Sequence, residues 1–305
     1  MQPGKAANRY LMNSLSSHIN TVKLLRIPFS VFLMPVFLLA VSQSGFVNIY
    51  STLWSFFIIH LLVYPSSNGY NSYIDRDETS IGGLEKPPMP TIQLFYITLA
   101  LDALAIILAL FMVHVLFAVC LLLYILASRA YSSRQVRLKK YPLAGFLVVI
   151  IFQGGFTYYM SSLGISGRPL LRSNPDLYIM MACTLQIAGA YPLTQIYQHK
   201  EDTANGDYTI SYRLGYRGTF AFTALMFALC TLFYYLYFSS IHRVDLFLYL
   251  QLFFAPVVIY FLFWFIKVIK DTRAADFKNT MRMNLIASAC TSACFIFFIL
   301  LKYAS

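Results

Sequence analysis

Charge is scarce in this sequence: Asp, Glu, Lys and Arg make up 11% of its 305 residues, against roughly 25% in a soluble domain. Acidic residues are the scarcest, twelve in all, while 59% of the chain is hydrophobic and its mean hydropathy is +0.64. Water is therefore excluded as the main solvent. Metal-type cysteine spacing is also lacking. Cys120, Cys183, Cys230, Cys290 and Cys294 all lie in apolar runs and read as small packing residues. Nor does the beginning resemble a cleavable signal, since Met1 to Asn20 is polar and the first long apolar run exceeds a signal's hydrophobic stretch. That run is expected to remain as a membrane span.

What is abundant is apolar sequence of bilayer length. At about 20 residues per span plus short loops, the chain has room for roughly eight to ten crossings. The runs predict an all-α polytopic protein with spans near 21–43, 48–68, 91–112, 113–130, 143–163, 177–197, 218–238, 245–268 and 283–303. Only His114 marks the turn between the third and fourth. The formal charge of +11 sits in short segments between these runs, as in cytoplasmic loops, which argues against nucleic acid as a partner and for the lipid bilayer. With the N-terminus inside, nineteen of the 23 Lys and Arg fall on the cytoplasmic side, and only Arg168, Arg172, Arg243 and Lys302 fall outside. That asymmetry supports nine spans and a cytoplasmic N-terminus.

The few acids are localised. Asp75, Asp77, Glu78 and Glu85 follow span two, and Glu201, Asp202 and Asp207 follow span six, each after a Tyr-Pro step, Tyr64-Pro65 and Tyr191-Pro192. Asp75 and Asp202 are 127 residues and four spans apart. A parallel duplication, helices 1–4 and 5–8 plus helix 9 within a single domain 1–305, would put both loops on one face. In the first loop Asn68, Asn71, Asp75 and Thr79 are three or four residues apart, so a helix continuing into the loop aligns their oxygens. Carboxylate and amide oxygens gathered there suit Mg²⁺ carrying a diphosphate. The loop after span four supplies Arg134, Arg137, Lys139 and Lys140, cations suited to a leaving pyrophosphate. The 17% of Phe, Trp and Tyr permits an aromatic cavity around a carbocation.

Bland explanations apply to other residues. Arg134 and Lys140 fit ordinary cytoplasmic loop charge. Asp102, inside span three with no visible partner, fits a helix–helix hydrogen bond or an interfacial place. Tyr158, Tyr159, Tyr234 and Tyr235 fit an interfacial aromatic belt.

Taken in order, Arg26-Ile-Pro28 at the first span, Asn71-x3-Asp75 after the second, Tyr131-Ser…Arg137-Leu-Lys139 after the fourth and Glu201-Asp202-x3-Gly206-x2-Thr209-Ile-x4-Gly215 after the sixth resemble the UbiA-type intramembrane prenyltransferase family over nearly the whole chain. The resemblance implies a helical bundle around a central cavity, Mg²⁺ and a prenyl diphosphate between the acidic loops, and transfer to an aromatic or other lipophilic acceptor. It also implies catalytic roles for Asp75 and Asp202. Arg26, Arg137 and Lys139 would hold the diphosphate, joined by Asn68 from the aligned face. Two positions where the family carries Asp hold Thr79 and Gln198, so neighbouring acids must compensate; the expected metal set is Asn71, Asp75, Glu78, Gln198, Glu201 and Asp202. A divergent lyase or cyclase, or a non-catalytic isoprenoid or quinone carrier, would use the same cavity. The Asp-x2-Asp-Gly-x2-Ala-Arg run of CDP-alcohol phosphotransferases is absent. The short loops point to a bacterial plasma membrane with the acidic loops cytoplasmic.

Overall fold

In hydrocarbon the backbone has no water to bond, so each apolar run must satisfy its own N–H and C=O groups as a helix. The structure, a computed structural model, describes residues 18–167 and 174–304. Lys5, Arg9, Arg168 and Arg172, which enter the charge asymmetry, lie outside the described residues. Among the described residues nine helices are long and apolar enough to cross a membrane. They are α1 (His18–Gln43), α2 (Ile49–Asp75), α3 (Ile92–Met112), α4 (Val115–Ser132), α5 (Pro142–Ser166), α6 (Asp176–Gln195), α7 (Ile210–Ser240), α8 (Val244–Lys270) and α9 (Phe277–Ala304). This is the all-α integral-membrane architecture expected from the apolar runs.

Most helix ends fall where the apolar runs stop. The exceptions are polar turns that hydropathy cannot see: α2 continues to Asp75, and α7 and α9 begin at Ile210 and Phe277. His114 does divide α3 from α4. It is fully extended, and its Nδ1 accepts from the Leu116 N–H at 3.1 Å, capping α4. Each helix packs on the next in sequence, and α9 packs on α1, closing a ring. At one end α5 also packs on α1 and α2. There the main core, with Phe37, Leu39, Phe117, Met160, Tyr234 and Phe295 fully buried, fills the interior. The opposite end carries the connections after α2, α4 and α6, with smaller buried clusters such as Leu24, Leu25, Ile81 and Leu94 beneath them.

Two side-chain expectations change. Tyr158 and Tyr234 are buried in that core and only Tyr235 is exposed, so the first two pack the bundle instead of forming a belt. Asp102 makes helix–helix bonds: Ser66 donates to its Oδ1 at 2.6 Å, and Arg129 Nε donates to its Oδ2 at 3.0 Å. Arg129 also lies over the Tyr70 ring at 4.0 Å. Its position at the loop end of α4 hid this partnership from the charge pattern.

Candidate functional site

The last turns of α2 bring Asn68, Asn71 and Asp75 to one face, as the three- and four-residue spacing requires. The helix stops at Arg76, whose left-handed backbone (φ 54°) caps it. Thr79 therefore leaves the aligned face and is exposed, as is Glu78. The connection then folds back through a turn pairing Ile81 with Leu84. Glu201 Oε1 accepts from the N–H groups of Glu78 and Thr79 at 3.0 and 3.3 Å, and Gln198 Nε2 donates to the Ser80 carbonyl at 3.2 Å. The two acidic segments are thus pinned to one another.

The second segment is built from a short helix, His199–Ala204, followed by Gly206 at φ 74°. Thr209 caps α7 by accepting from Tyr212 N–H. Gly215, at φ 67°, then breaks the first turn of α7 away from its remainder. Both glycines of the motif occupy left-handed backbone that a side chain strains.

Lys139 joins the segments. Its Nζ lies 2.7 Å from Asp75 Oδ1 and 2.8 Å from Asp207 Oδ2, with Asp75 and Asp207 only 5% and 2% exposed. Arg137 grips Asp207 with two bonds of 2.9 Å, a bidentate pair. Asn71 Nδ2 donates to Asp75 Oδ2 at 2.7 Å and to Ser132 Oγ at 3.1 Å. Arg26 is buried and donates to the carbonyls of Gly82 and Asn68, both at 3.2 Å, while its Nε has no partner. Arg26, Arg76 and Arg137 all hold left-handed backbone, a conformation costing about 1–3 kcal/mol each and concentrated at functional sites.

The electrostatics are unbalanced. Around Asp75, Asp77, Glu201, Asp202 and Asp207 the described residues bring Arg26, Arg137 and Lys139. Burial first, opposed by Lys139 and reinforced by Asp207 and Asp77, pushes the Asp202 carboxyl up to about 7. Burial and then Asp75 push Asp77 up to about 6. Burial also acts on Asp207, yet its bonds to Arg137 and Lys139 hold it below the usual carboxylate range. Lys139, whose burial disfavours charge, is kept above the usual lysine value by Asp75 and Asp207.

Below this cluster opens a cavity of about 280 Å³. Arg26, Asn68, Asn71 and Gln198 line its head together with Phe29, which packs against Gly82, and Phe32, Tyr124 and Phe152 line the rest. Tyr131 and Tyr191, whose hydroxyls meet at 2.5 Å, form part of its wall. A second cavity, about 340 Å³, shares Phe32, Ile187, Ala190 and Asn284 with the first.

Of the expected site residues, Arg26, Asn68, Asn71 and Gln198 line the cavity, Asp75, Arg137 and Lys139 join in one ionic network with Asp207, Glu201 is bonded to the turn after α2, and Asp202 feels the charges of Lys139, Asp207, Asp77 and Asp75. Glu78 is the exception: its side chain is exposed, because the chain has already left the helix, and only its N–H is engaged. Asp207 is the acid that spacing understated, being one residue past a motif glycine rather than on a helical face. Arg134 and Lys140 are exposed, as loop charge should be.

Among the described residues no three His, Cys, Asp or Glu side chains converge as a ready-made metal cage. A Mg²⁺ that arrives with a diphosphate needs only one or two protein carboxylates and takes its other oxygens from phosphate and water. Five carboxylates opposite three cations, two of them with raised protonation, fit such an ion.

A family model described as the UbiA prenyltransferase family matches residues 31–286. Among solved structures, a UbiA homologue from Archaeoglobus fulgidus bound to DMAPP and Mg²⁺ is 14% identical, with a TM-score of 0.66 over 92% of this chain and 99% of that one. The apo UbiA homologue from Aeropyrum pernix K1 is 16% identical, with a TM-score of 0.65 over 88% and 98%. Digeranylgeranylglyceryl phosphate synthase is 15% identical, with a TM-score of 0.60 over 93% and 99%. No curated protein matches the sequence.

Proposed function

Because the chain belongs to the UbiA prenyltransferase family, we propose that it transfers a prenyl group from an allylic prenyl diphosphate to an aromatic or other lipophilic acceptor. The observation that carries this is Lys139 bridging Asp75 and Asp207, which brings two distant acidic segments together at the head of an aromatic cavity. Solved relatives bound to DMAPP or GPP with Mg²⁺ supply the donor chemistry by likeness.

In this proposal Arg26, Arg137 and Lys139 receive the diphosphate oxygens, and Asn68 and Gln198 fix its orientation at the cavity head. The allylic C–O bond breaks with its electron pair leaving on pyrophosphate, where those three cations stabilise the charge. The acceptor supplies the electron pair for the new bond and then loses a proton, which a pyrophosphate oxygen is placed to take. Phe29, Phe32, Tyr124 and Phe152 keep water from the allylic cation and offer it their π faces. Asn71, Asp75, Asp77 and Asp202 are the residues proposed to hold Mg²⁺, with Glu201 and Gln198 securing the turn beside them. When bound, the ion would neutralise diphosphate charge. We further propose one domain of two four-helix halves plus α9, a cytoplasmic cavity head and a bacterial plasma membrane as its place.

The test is pyrophosphate release by the purified protein in lipid with a panel of prenyl diphosphates and Mg²⁺. Release that Asp75→Ala and Asp202→Ala abolish is the expected outcome. Donor binding without release from any donor would instead favour a non-catalytic isoprenoid carrier, since repeat halves around a central cavity also occur in transporters.

A further inference from the structure

The helix that carries Glu201 and Asp202 is too short to hold itself in place. It has six residues, His199–Ala204, and isolated helices below about 12–15 residues are marginal in water. Its position is therefore set by what it touches. On the acidic side it is held by other connections: Gln198 and Glu201 bond the turn after α2, and Asp207, just beyond the helix, bonds Arg137 and Lys139. Toward the membrane spans it presents His199. The imidazole is buried, stacks on Tyr216 of α7 with ring centroids 4.9 Å apart, and meets Tyr212 edge-on at 5.7 Å. Its Nε2 lies 2.8 Å from Ser211 Oγ.

Ser211 belongs to the first turn of α7, ahead of the break at Gly215, and its Oγ lies 3.0 Å from the Thr219 Oγ1 beyond that break. Both hydroxyl residues are fully buried. Thr219 Oγ1 in turn lies 2.8 Å from the Gly215 carbonyl and 3.1 Å from that of Ser211. The protons follow from the last link backwards. Carbonyls have none to give, so the Thr219 proton goes to them. The contact between the two hydroxyls then takes the Ser211 proton, and the contact between Ser211 and His199 takes the imidazole N–H. His199 therefore donates through Nε2, and the chain from His199 through Ser211 and Thr219 to the backbone crosses the break in one direction.

We infer that His199 is a positioning residue for the metal site: its Nε2–H, acting through Ser211 and Thr219, fastens the helix bearing Asp202 to the membrane-spanning length of α7. The two parts of α7 on either side of Gly215 are joined by the same chain, so the site is referenced to a span and not only to neighbouring connections. The inference rests on the proposal that Asp202 holds the metal, which Asp202→Asn tests separately. Stacking on Tyr216 is a distinct contribution of the same ring. His199→Phe keeps a ring there and loses the N–H, whereas His199→Gln returns a terminal N–H near the place of Nε2.

The experiment measures Mn²⁺ affinity by electron paramagnetic resonance on the full chain in lipid nanodiscs, and amide hydrogen exchange over residues 199–206 in the metal-free protein. His199→Phe and Ser211→Ala should each weaken Mn²⁺ binding about three- to ten-fold, the worth of one neutral hydrogen bond, while His199→Gln stays within about two-fold of the parent. The same two variants should speed exchange over residues 199–206, and His199→Gln should not. Because both break one chain, the double variant should lose no more than either single one. Parent-like Mn²⁺ affinity in His199→Phe, alongside a loss in Asp202→Asn, would overturn the inference and leave the metal proposal standing. Losses that add in the double variant would overturn it too, since the two residues would then act apart. Parent-like affinity in Asp202→Asn would overturn both the inference and the proposal beneath it.

Discussion

Two buried ionic clusters differ in how completely the protein itself satisfies them. Between α2, α3 and α4, Asp102 meets Arg129 and Ser66, one acid and one base with a hydroxyl between them, all carried on helices. At the cavity head five acids meet three bases across connections that follow α2, α4 and α6. The first cluster balances its charges within the protein, although Arg129 Nη1, like Arg26 Nε at the cavity head, has no hydrogen-bond partner among the described residues. The second leaves Asp77 and Asp202 with raised protonation, an excess of acid that a metal would offset. Burial of charge alone therefore does not mark the site; an excess of one sign does.

Breaking the charge-balanced cluster should produce the largest effect, and it should fall on stability. Asp102→Ala strands a buried guanidinium, an imbalance worth about 3–5 kcal/mol. The measurement is thermal unfolding in detergent, with pyrophosphate release per folded molecule falling far less. Asp102→Leu combined with Arg129→Leu should recover most of the loss, because a well-packed apolar pair substitutes for a buried ion pair. Loss of activity in a stable double variant would erase the distinction between the two clusters. Lys139→Ala should do the reverse, lowering pyrophosphate release about 10²–10³-fold, the cost of losing one charge-stabilising donor, with a smaller change in unfolding.

This contrast was only partly legible in the sequence. Apolar runs fixed the helix count, because a bilayer demands runs of one length; spacing aligned Asn71 with Asp75, and the resemblance in motif order pointed to Arg137, Lys139 and Asp202. Spacing carries no information about which segments touch. Asp102 looked unpartnered because Arg129 is 27 residues away on another helix, and Asp207 looked peripheral because Lys139 reaches it from a third connection. Glu78 lies exposed for a local reason, since nothing in its neighbours announces that the helix ends at Arg76 in left-handed backbone.

Protonation gives a comparison within the acid-rich cluster. Asp202 and Asp77, raised to about 7 and about 6, bind protons in the fold that the unfolded chain has already released. Their contribution to metal-free stability is full below the ordinary carboxylate value and is lost as pH rises through 6 and 7. Asp207, lowered by its partners, contributes the opposite way, losing stability only in acid. A metal must displace the Asp202 proton, so Mn²⁺ affinity, followed by electron paramagnetic resonance, should rise up to ten-fold per pH unit between about 6 and 7 and level off above it. Asp202→Asn should flatten that rise. A pH-independent affinity in the parent protein would mean that Asp202 takes no part.

The smallest effect tests whether the neutral positions matter equally. Gln198 lines the cavity head, and its side chain donates to the Ser80 carbonyl at 3.2 Å, whereas Thr79 is exposed beyond the end of α2. Gln198→Asp adds an oxygen anion to the site at the cost of that one neutral bond, about 1 kcal/mol. It should raise Mn²⁺ affinity about three- to ten-fold. Thr79→Asp adds the same charge at a solvated position, where its influence is worth less than about 1 kcal/mol, and should leave the affinity within about two-fold. A gain from Thr79→Asp as large as that from Gln198→Asp would mean that the connection after α2 closes further over the site when the ion binds, carrying Thr79 back onto the face it leaves at Arg76.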